Sequence, residues 1–368
     1  MKVTAAVLQE PRGQFLVQDI EIDHELQPNE VMVKILATGL CHTDLAVRDQ
    51  HIPVSFPVVL GHEGAGTVFK TGTNVTSVKV GDRVVLAPSS CGKCSFCLSG
   101  HPSYCVELYL LNMAGPRSDG SCPYHDGLGH PLGAFFFGQS SFGTYSLTSE
   151  RNLVKIDDKV PLEIMGPLGC GIQTGAGTVL NVLRPSAGSS IVVFGTGPVG
   201  LAAIMAAKAS GCSTIVAVDI HDNRLTIALE LGATHAINSS RENPSEKILT
   251  DILSDGLHFS IDTTGRGEVI HHALASLRFM GTCALLGVPS VAKLELDYSV
   301  FNSGRSVVTV VEGDSVPSEL IPRLIALYLN GLFPFDRLIK FYDLQDINQA
   351  VADTESGITL KAVIRMPQ

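Results

Sequence analysis

The chain has 368 residues, more than one ordinary hydrophobic core accommodates, so two domains are expected. Hydrophobic residues make up 45% and charged residues 17%, a balance that can offset the entropy of folding and excludes disorder. The net charge of -10 and the pI near 5.6 give no electrostatic reason to approach a phosphate backbone or an anionic lipid surface, so nucleic acid and membrane are set aside as partners.

The first strand-like run is Val3 to Leu8, and no basic segment with an apolar stretch precedes it. No run reaches the roughly 18 to 20 unbroken apolar residues of a spanning helix, so a cytoplasmic protein is expected. Short β-rich segments follow, among them Glu30 to Ala37, Gly66 to Phe69 and Arg83 to Leu86, broken by Gly, Pro and Asp. Residues 1–171 therefore read as a β-rich domain. The nine cysteines are odd in number and four of them crowd between Cys91 and Cys105, which is a metal-binding pattern rather than a disulfide framework. In Cys91-Gly-Lys-Cys94-Ser-Phe-Cys97, followed by Cys105, four thiolates can converge on one ion. They satisfy a tetrahedral zinc and leave no position for a substrate, so this site is expected to be structural. An iron–sulfur cluster takes the same four ligands, and the neighbouring motifs favour zinc.

The stretch Tyr109 to Gly143 is rich in Gly and Pro, has no clear period and carries Phe135-Phe136-Phe137. It reads either as a functional loop or as an aromatic run that fills a core. Over residues 172–311 the rhythm changes to strand and helix in alternation, with a strand at Ile191 to Phe194, a helix through Ala202 to Ser210 and a strand at Thr214 to Asp219. That alternation predicts an α/β, doubly wound parallel sheet. Gly195-Thr-Gly197-Pro-Val-Gly200 follows the first of these strands and opens the helix, and Asp219 ends the next strand 19 residues after Gly200. The glycines allow a tight turn and bring a pyrophosphate close to a helix N-terminus. Asp219 is placed for the hydroxyls of an adenosine ribose, and its charge would repel a 2'-phosphate, so NAD is expected over NADP. Arg224 reads as a solvated helix residue or as a contact to the ribose edge. Residues 312–368 return to mixed structure, with a helix at Ser318 to Leu329 and a strand near Ala362 to Met366, and are expected to rejoin the first domain.

These motifs, with Gly39-Leu40-Cys41-His42-Thr43-Asp44, Gly61-His62-Glu63 and Gly166-Pro-Leu-Gly-Cys170-Gly171, resemble the zinc-containing medium-chain alcohol dehydrogenase family over nearly the whole chain. The segments CHTDLAVRDQ, GPLGCGIQTGAG, FFFGQSSFGTY and GLFPFDRLI are most similar to bacterial aryl-alcohol (benzyl-alcohol) and allylic terpene-alcohol (geraniol) dehydrogenases. The resemblance implies a GroES-like catalytic domain, a Rossmann domain that holds NAD, an active site in the cleft between them, and a homodimer or homotetramer. It implies two zinc ions per chain, one in the cysteine quartet and a catalytic one on Cys41, His62 and Cys170. That Cys2His set, for which alcohol dehydrogenase is the standard example, leaves a fourth position for water or substrate. No spacing rule selects those three residues on its own.

By position, the resemblance makes Glu63 an acidic neighbour of the metal, Asp44 the carboxylate that orients His62, and Thr43 the hydroxyl that takes the alcohol proton. It places His42 and Lys361 at the cofactor pyrophosphate, Thr174 beside the nicotinamide and Val288 in the segment lining the carboxamide. Where many relatives carry a relay histidine this chain has Ala46, so the proton is expected to leave through the cofactor ribose or a displaced group such as His51. Ala87 stands where relatives that prefer small alcohols carry phenylalanine, and with the Phe135 to Phe137 run and Phe142 it implies a wide, flat, apolar pocket. The expected activity is reversible oxidation of a benzyl-, cinnamyl- or geraniol-like primary alcohol to its aldehyde. A glutathione-dependent formaldehyde dehydrogenase and a non-catalytic protein that keeps zinc and NAD on the same scaffold are the alternatives.

Overall fold

The structure, a computed structural model, describes residues 1–288, 293–301 and 303–367. The chain divides into two units: Met1–Gly171 with Val316–Ile325 and Asp336–Gln368, and Ile172–Ser315 with Ala326–Phe335.

The first unit begins with β1 (Lys2–Leu8), β2 (Leu16–Ile22), β3 (Glu30–Gly39), helix α1 (His42–Arg48), β4 (Val58–Val59), β5 (Glu63–Thr71) and β6 (Arg83–Leu86). Two short helices follow, α2 (Ser95–Leu98) and α3 (Leu108–Asn112), and then β7 (Tyr124–His125), β8 (Tyr145–Ser149) and β9 (Leu153–Lys155). One sheet has the order β4-β1-β2-β7. The other is built around β3, whose residues Val31, Met32, Val33 and Ile35 are all buried because the strand is covered on both faces. The antiparallel register of β3 and β5 sets Gly39 opposite Glu63. Only glycine fits there, since a Cβ at position 39 would lie 1.9 Å from Glu63 Oε2.

The segment from Tyr109 to Gly143 contains little regular structure, and its aromatic run fills the core. Phe136 and Phe142 are fully buried, and Phe135 and Phe137 pack against the same cluster. The core-filling reading therefore holds for the run, although Phe135, Phe137 and Ser140 have φ of 60°, 50° and 49°, a left-handed backbone that bulky residues rarely adopt.

The second unit opens with α4 (Gly171–Gly177), which widens into a π-helical turn over Thr178–Leu183. Then come β10 (Ser190–Phe194), α5 (Pro198–Ala209), β11 (Thr214–Asp219), α6 (Asp222–Leu231), β12 (His235–Asn238), α7 (Pro244–Lys247), β13 (Leu257–Asp262), α8 (Gly267–Ala275), β14 (Leu277–Leu285) and β15 (Ser306–Thr309). The sheet is parallel in the order β12-β11-β10-β13-β14-β15, as the alternation predicts. The order reverses between β10 and β13, and the crevice beyond the carboxyl ends of such a pair is where doubly wound sheets bind ligands. The turn Gly195 to Gly200 stands at the end of β10.

The chain continues through α9 (Pro317–Leu329), β16 (Ile339–Asp343), α10 (Ile347–Glu355) and β17 (Lys361–Arg365). In the first unit β17 pairs antiparallel with β3, Ile364 opposite Thr38, and completes the order β16-β17-β3-β5-β6-β9 with β8 also on β3. Among the described residues no helix is long and apolar enough to cross a membrane.

Candidate active site and metal centres

Cys41 precedes α1, and its N–H donates to Asp44 Oδ2 at 2.9 Å, which caps the first turn. The other oxygen of Asp44 accepts the Gly61 N–H at 3.0 Å and lies 3.0 Å from His62 Nδ1. One buried carboxylate thus caps a helix, ties down the loop before β5 and fixes an imidazole. With Nδ1 engaged, Nε2 is the free nitrogen, and it is buried with no hydrogen-bond partner. The Cys41 and Cys170 sulfurs, a His62 ring nitrogen and a Glu63 oxygen all lie within 4.8 Å of one another. An orphaned buried polar atom costs about 1–3 kcal/mol, and a soft divalent cation among two sulfurs and one nitrogen removes that cost. The donors fit zinc.

The electrostatics agree. The Cys41 thiol is held well below its ordinary value, first by a hydrogen bond with Cys170, against burial, and then by the charges of His62 and Lys361. Burial works against protonation of His62, yet the charges of Asp44 and Cys41 outweigh it and raise its pKa. Glu63 is pushed up by burial, which the Lys361 charge opposes. Its carboxylate is met by Lys361 Nζ at 2.9 Å from both oxygens, and Nζ also donates to the Leu40 carbonyl at 3.2 Å. Burial alone would lower the Lys361 pKa, but the Glu63 and Cys41 charges raise it. Lys361, expected at a pyrophosphate, is 3% exposed and in this structure neutralises Glu63, because a buried carboxylate needs a counter-ion.

Thr43 is half-buried, with Oγ1 3.7 Å from Cys41 Sγ. His42 is exposed at the first position of α1, and Ala46 is half-buried on the same helix. His51 lies exposed beyond it, its N–H on the Ala46 carbonyl.

Cys91, Cys94, Cys97 and Cys105 form the second cluster of donors within 4.8 Å. Backbone N–H groups point at its sulfurs: Cys91 N–H to Cys105 Sγ at 3.2 Å, Cys94 N–H to Cys91 Sγ at 3.4 Å and Cys97 N–H to Cys94 Sγ at 3.5 Å. The bonds from Cys97 and Val106 hold the Cys94 thiol down to about 6, while burial pushes Cys105 up to about 11. Four convergent sulfurs, with amides already turned toward thiolates, fit a closed zinc site.

Of the aromatic residues expected near the substrate, the run Phe135 to Phe137 supplies the two rings that meet His62. Ala87 and Phe142 are buried, Phe142 edge-on to Phe15 in the core, and Phe135 is half-buried against that core. The rings that meet His62 are Phe137, stacked at 4.5 Å and 26°, and Phe136, edge-on at 5.3 Å. Gln139, fully buried, accepts the Gly64 N–H at 3.0 Å and donates to the His62 carbonyl at 2.9 Å. Phe137 belongs to the aromatic run that the sequence singles out, but the left-handed turn that aims it and Gln139 at His62 is invisible to strand periodicity.

In the second unit Gly195 has φ +86°, and a Cβ on Gly200 would strike the Gly195 carbonyl at 1.9 Å. At Gly197 nothing lies within 4 Å of such a Cβ, and α5 starts there with no side-chain cap. That open helix start fits a pyrophosphate. Asp219 Oδ2 accepts the Thr196 N–H at 2.7 Å and its hydroxyl at 2.9 Å, while Oδ1 accepts the N–H groups of Ile220 and His221. The carboxylate therefore knits the glycine turn to the end of β11. Arg224 Nε is buried without a hydrogen-bond partner, and Val288 is exposed. Thr174 Oγ1 lies 3.4 Å from Glu312 Oε2, which also receives Gln173 Nε2 at 3.2 Å. Glu312 was not legible as a site neighbour.

Residues 27–158 match the family described as alcohol dehydrogenase GroES-like domain, and residues 198–329 match zinc-binding dehydrogenase. The chain is 42% identical over 364 residues to a geraniol dehydrogenase from Castellaniella defragrans (strain DSM 12143 / CCUG 39792 / 65Phen), covering 98% of this chain and 96% of that protein. It is similar to the crystal structure of a benzyl alcohol dehydrogenase from Acinetobacter calcoaceticus, with a TM-score of 0.96 and 44% identity over the whole of both chains. An alcohol dehydrogenase zinc-binding domain protein from Burkholderia ambifaria gives 0.97 and 47%, again over both whole chains.

Proposed function

The chain belongs to the zinc-containing medium-chain alcohol dehydrogenase family, and on that premise we propose that it reversibly oxidises a primary aromatic or allylic alcohol to its aldehyde with NAD. The observation that carries this reading is the orphaned, Asp44-oriented Nε2 of His62 facing Cys41, Cys170 and Glu63. Two zinc ions per chain belong to the proposal, one on Cys41, His62 and Cys170 and one on the cysteine quartet. Bound there, the first zinc supplies a Lewis acid that lowers the pKa of an alcohol hydroxyl, and NAD at the Gly195 to Gly200 turn supplies the hydride acceptor.

Thr43 takes the hydroxyl proton, and Asp44 keeps the His62 ring from turning. Ala46 has no group to carry a proton onward, so from Thr43 the proton would have to leave by another route, which a bound cofactor's ribose or a displaced group such as His51 would supply. Lys361 holds Glu63 by its two oxygens beside the donor atoms of Cys41, His62 and Cys170, from where the carboxylate would approach the metal during ligand exchange. Asp219 and Arg224 receive the adenosine ribose, His42 the pyrophosphate, and Thr174 and Val288 the nicotinamide end. Residues 1–171 and 312–368 form the catalytic part and 172–311 the NAD-binding part. The small Ala87 and the rings of Phe136 and Phe137 beside His62 support a flat apolar substrate, as do the names of the two similar dehydrogenases.

The Cys170→Ala chain should bind one zinc where the wild type binds two, and lose turnover. A variant with both zincs and full activity refutes the assignment. Steady-state rates on ethanol, benzyl alcohol and geraniol, with NAD and NADP and without glutathione, test the rest. Higher kcat/KM on the two larger alcohols and with NAD is expected. Equal efficiency on all three removes the substrate reading, preference for NADP removes that of Asp219, and dependence on glutathione favours a formaldehyde dehydrogenase.

A further inference from the structure

Phe135, Phe137 and Ser140 share a left-handed backbone with Gly138 between them at φ 67°. Such a conformation strains the backbone at each non-glycine residue, and an extended strand would bury rings without that strain. A strand, however, sends neighbouring side chains to opposite faces. Here two neighbours, Phe136 and Phe137, both arrive on the imidazole of His62, and their rings also meet one another at 4.9 Å and 76°. The turn is locked in place. The Phe136 N–H donates to Ser140 Oγ at 2.9 Å, Ser140 Oγ donates to the Val59 carbonyl at 2.6 Å, and Gln139 bridges the His62 carbonyl and the Gly64 N–H. The strained backbone and its anchors converge on one side chain.

We propose that Phe137 is a positioning residue for His62, its ring laid flat on the imidazole so that the ligand cannot swing away and water cannot reach the Asp44–His62 bond. The consequence is slow loss of the metal at that centre. The proposal rests on the reading of His62 as a zinc ligand. A ring that leaves its metal must rotate about its side-chain bonds, and Phe137 occupies the face it would turn through. Water admitted beside a buried charge-assisted hydrogen bond raises the local dielectric and weakens it. Partners that orient a metal-bound histidine are each worth about 10–100-fold in metal affinity, which sets the scale of the effect.

The cysteine quartet provides an internal control in the same molecule. Zinc-loaded full-length protein is mixed with excess of a chelating dye, and the phase absent from Cys170→Ala is assigned to the His62 centre. Phe137→Ala should speed that phase by roughly 10–100-fold and leave the quartet phase unchanged. Phe137→Tyr, which keeps the flat ring, should retain the slow rate, and Phe137→Leu, which keeps only apolar bulk, should recover part of it. An unchanged rate in Phe137→Ala overturns the proposal, as does equal acceleration of both phases or full rescue by Leu. A wild-type chain that binds zinc only at the quartet overturns the ligand assignment itself, a separate failure seen before any variant is made.

Discussion

At the scale of the residue, the buried ionic contacts decide the most. Removing the Lys361 ammonium leaves the Glu63 charge buried and unpaired, so Lys361→Met should cost about 3–5 kcal/mol in urea unfolding. Adding Glu63→Gln to it should restore most of that, and a double variant no more stable than the single would show that the pair is not the source. Asp44→Asn keeps the size but loses the charge that accepts from Cys41 and Gly61 and faces His62. Zinc affinity at that centre should fall about 10–100-fold with the quartet unaffected, measured by competition with a chelator of known affinity. Asp44, Cys41, His62 and Cys170 were named through the family resemblance rather than by spacing, and the structure brings their atoms together. The partner of Lys361 was not legible in the sequence. Its contact spans 298 residues, and nothing near position 361 reveals which strand it will lie beside. Phe142 illustrates the same limit: an aromatic near a metal motif can be core or pocket wall, and only its packing on Phe15 decides.

At the scale of the element, alternation and turn chemistry read well where they are local. The expected strands at Arg83 to Leu86 and Thr214 to Asp219 coincide with β6 and β11. The helix expected from Ala202 begins four residues earlier at Pro198, since the glycine turn itself supplies the helix start. Gly200→Ala should push that helix off its strand at a cost on the order of 1–3 kcal/mol and weaken dinucleotide binding. An unchanged dissociation constant for NAD in calorimetric titration would contradict this. The last helix is tied to β16 through Asp353, which accepts from Lys340 Nζ at 2.8 Å, Tyr342 Oη at 2.6 Å and Gln349 Nε2 at 2.7 Å. Those bonds, that of Lys340 first, hold its carboxyl near a pKa of about 2. A folded value below the unfolded one, about 3.9, contributes stability above that pH and loses it as the pH falls toward 2. The Asp353→Asn chain should therefore be less stable than wild type at pH 7, and the gap in urea midpoints should close between about pH 4 and pH 2. A gap that does not change with pH would assign the effect to packing.

At the scale of the whole molecule, both metal clusters fall in the first unit and the glycine turn in the second. Chelation and dinucleotide should therefore act on different parts of a calorimetric trace. Stripping zinc should lower the transition of the first unit. NAD at a hundred times its Kd should add about 2.7 kcal/mol to the second, which for a unit of this size is roughly 5–10 °C. A single transition moved equally by both would show one cooperative block. The change of rhythm near residue 172 lies at the boundary between the two units, whereas the pattern of residues 312–368 does not reveal the return of β16 and β17 to the sheet of β3. That return also imposes an order in time. A ribosome releases Glu63 well before Lys361, and at about 5–20 residues per second the interval is on the order of tens of seconds. Until β17 emerges and docks beside β3, the nascent unit carries a carboxylate without its counter-ion. The Lys361–Glu63 contact beside the proposed metal donors is therefore among the last parts of the polypeptide to form, and a truncation before Lys361 would leave Glu63 permanently without that counter-ion.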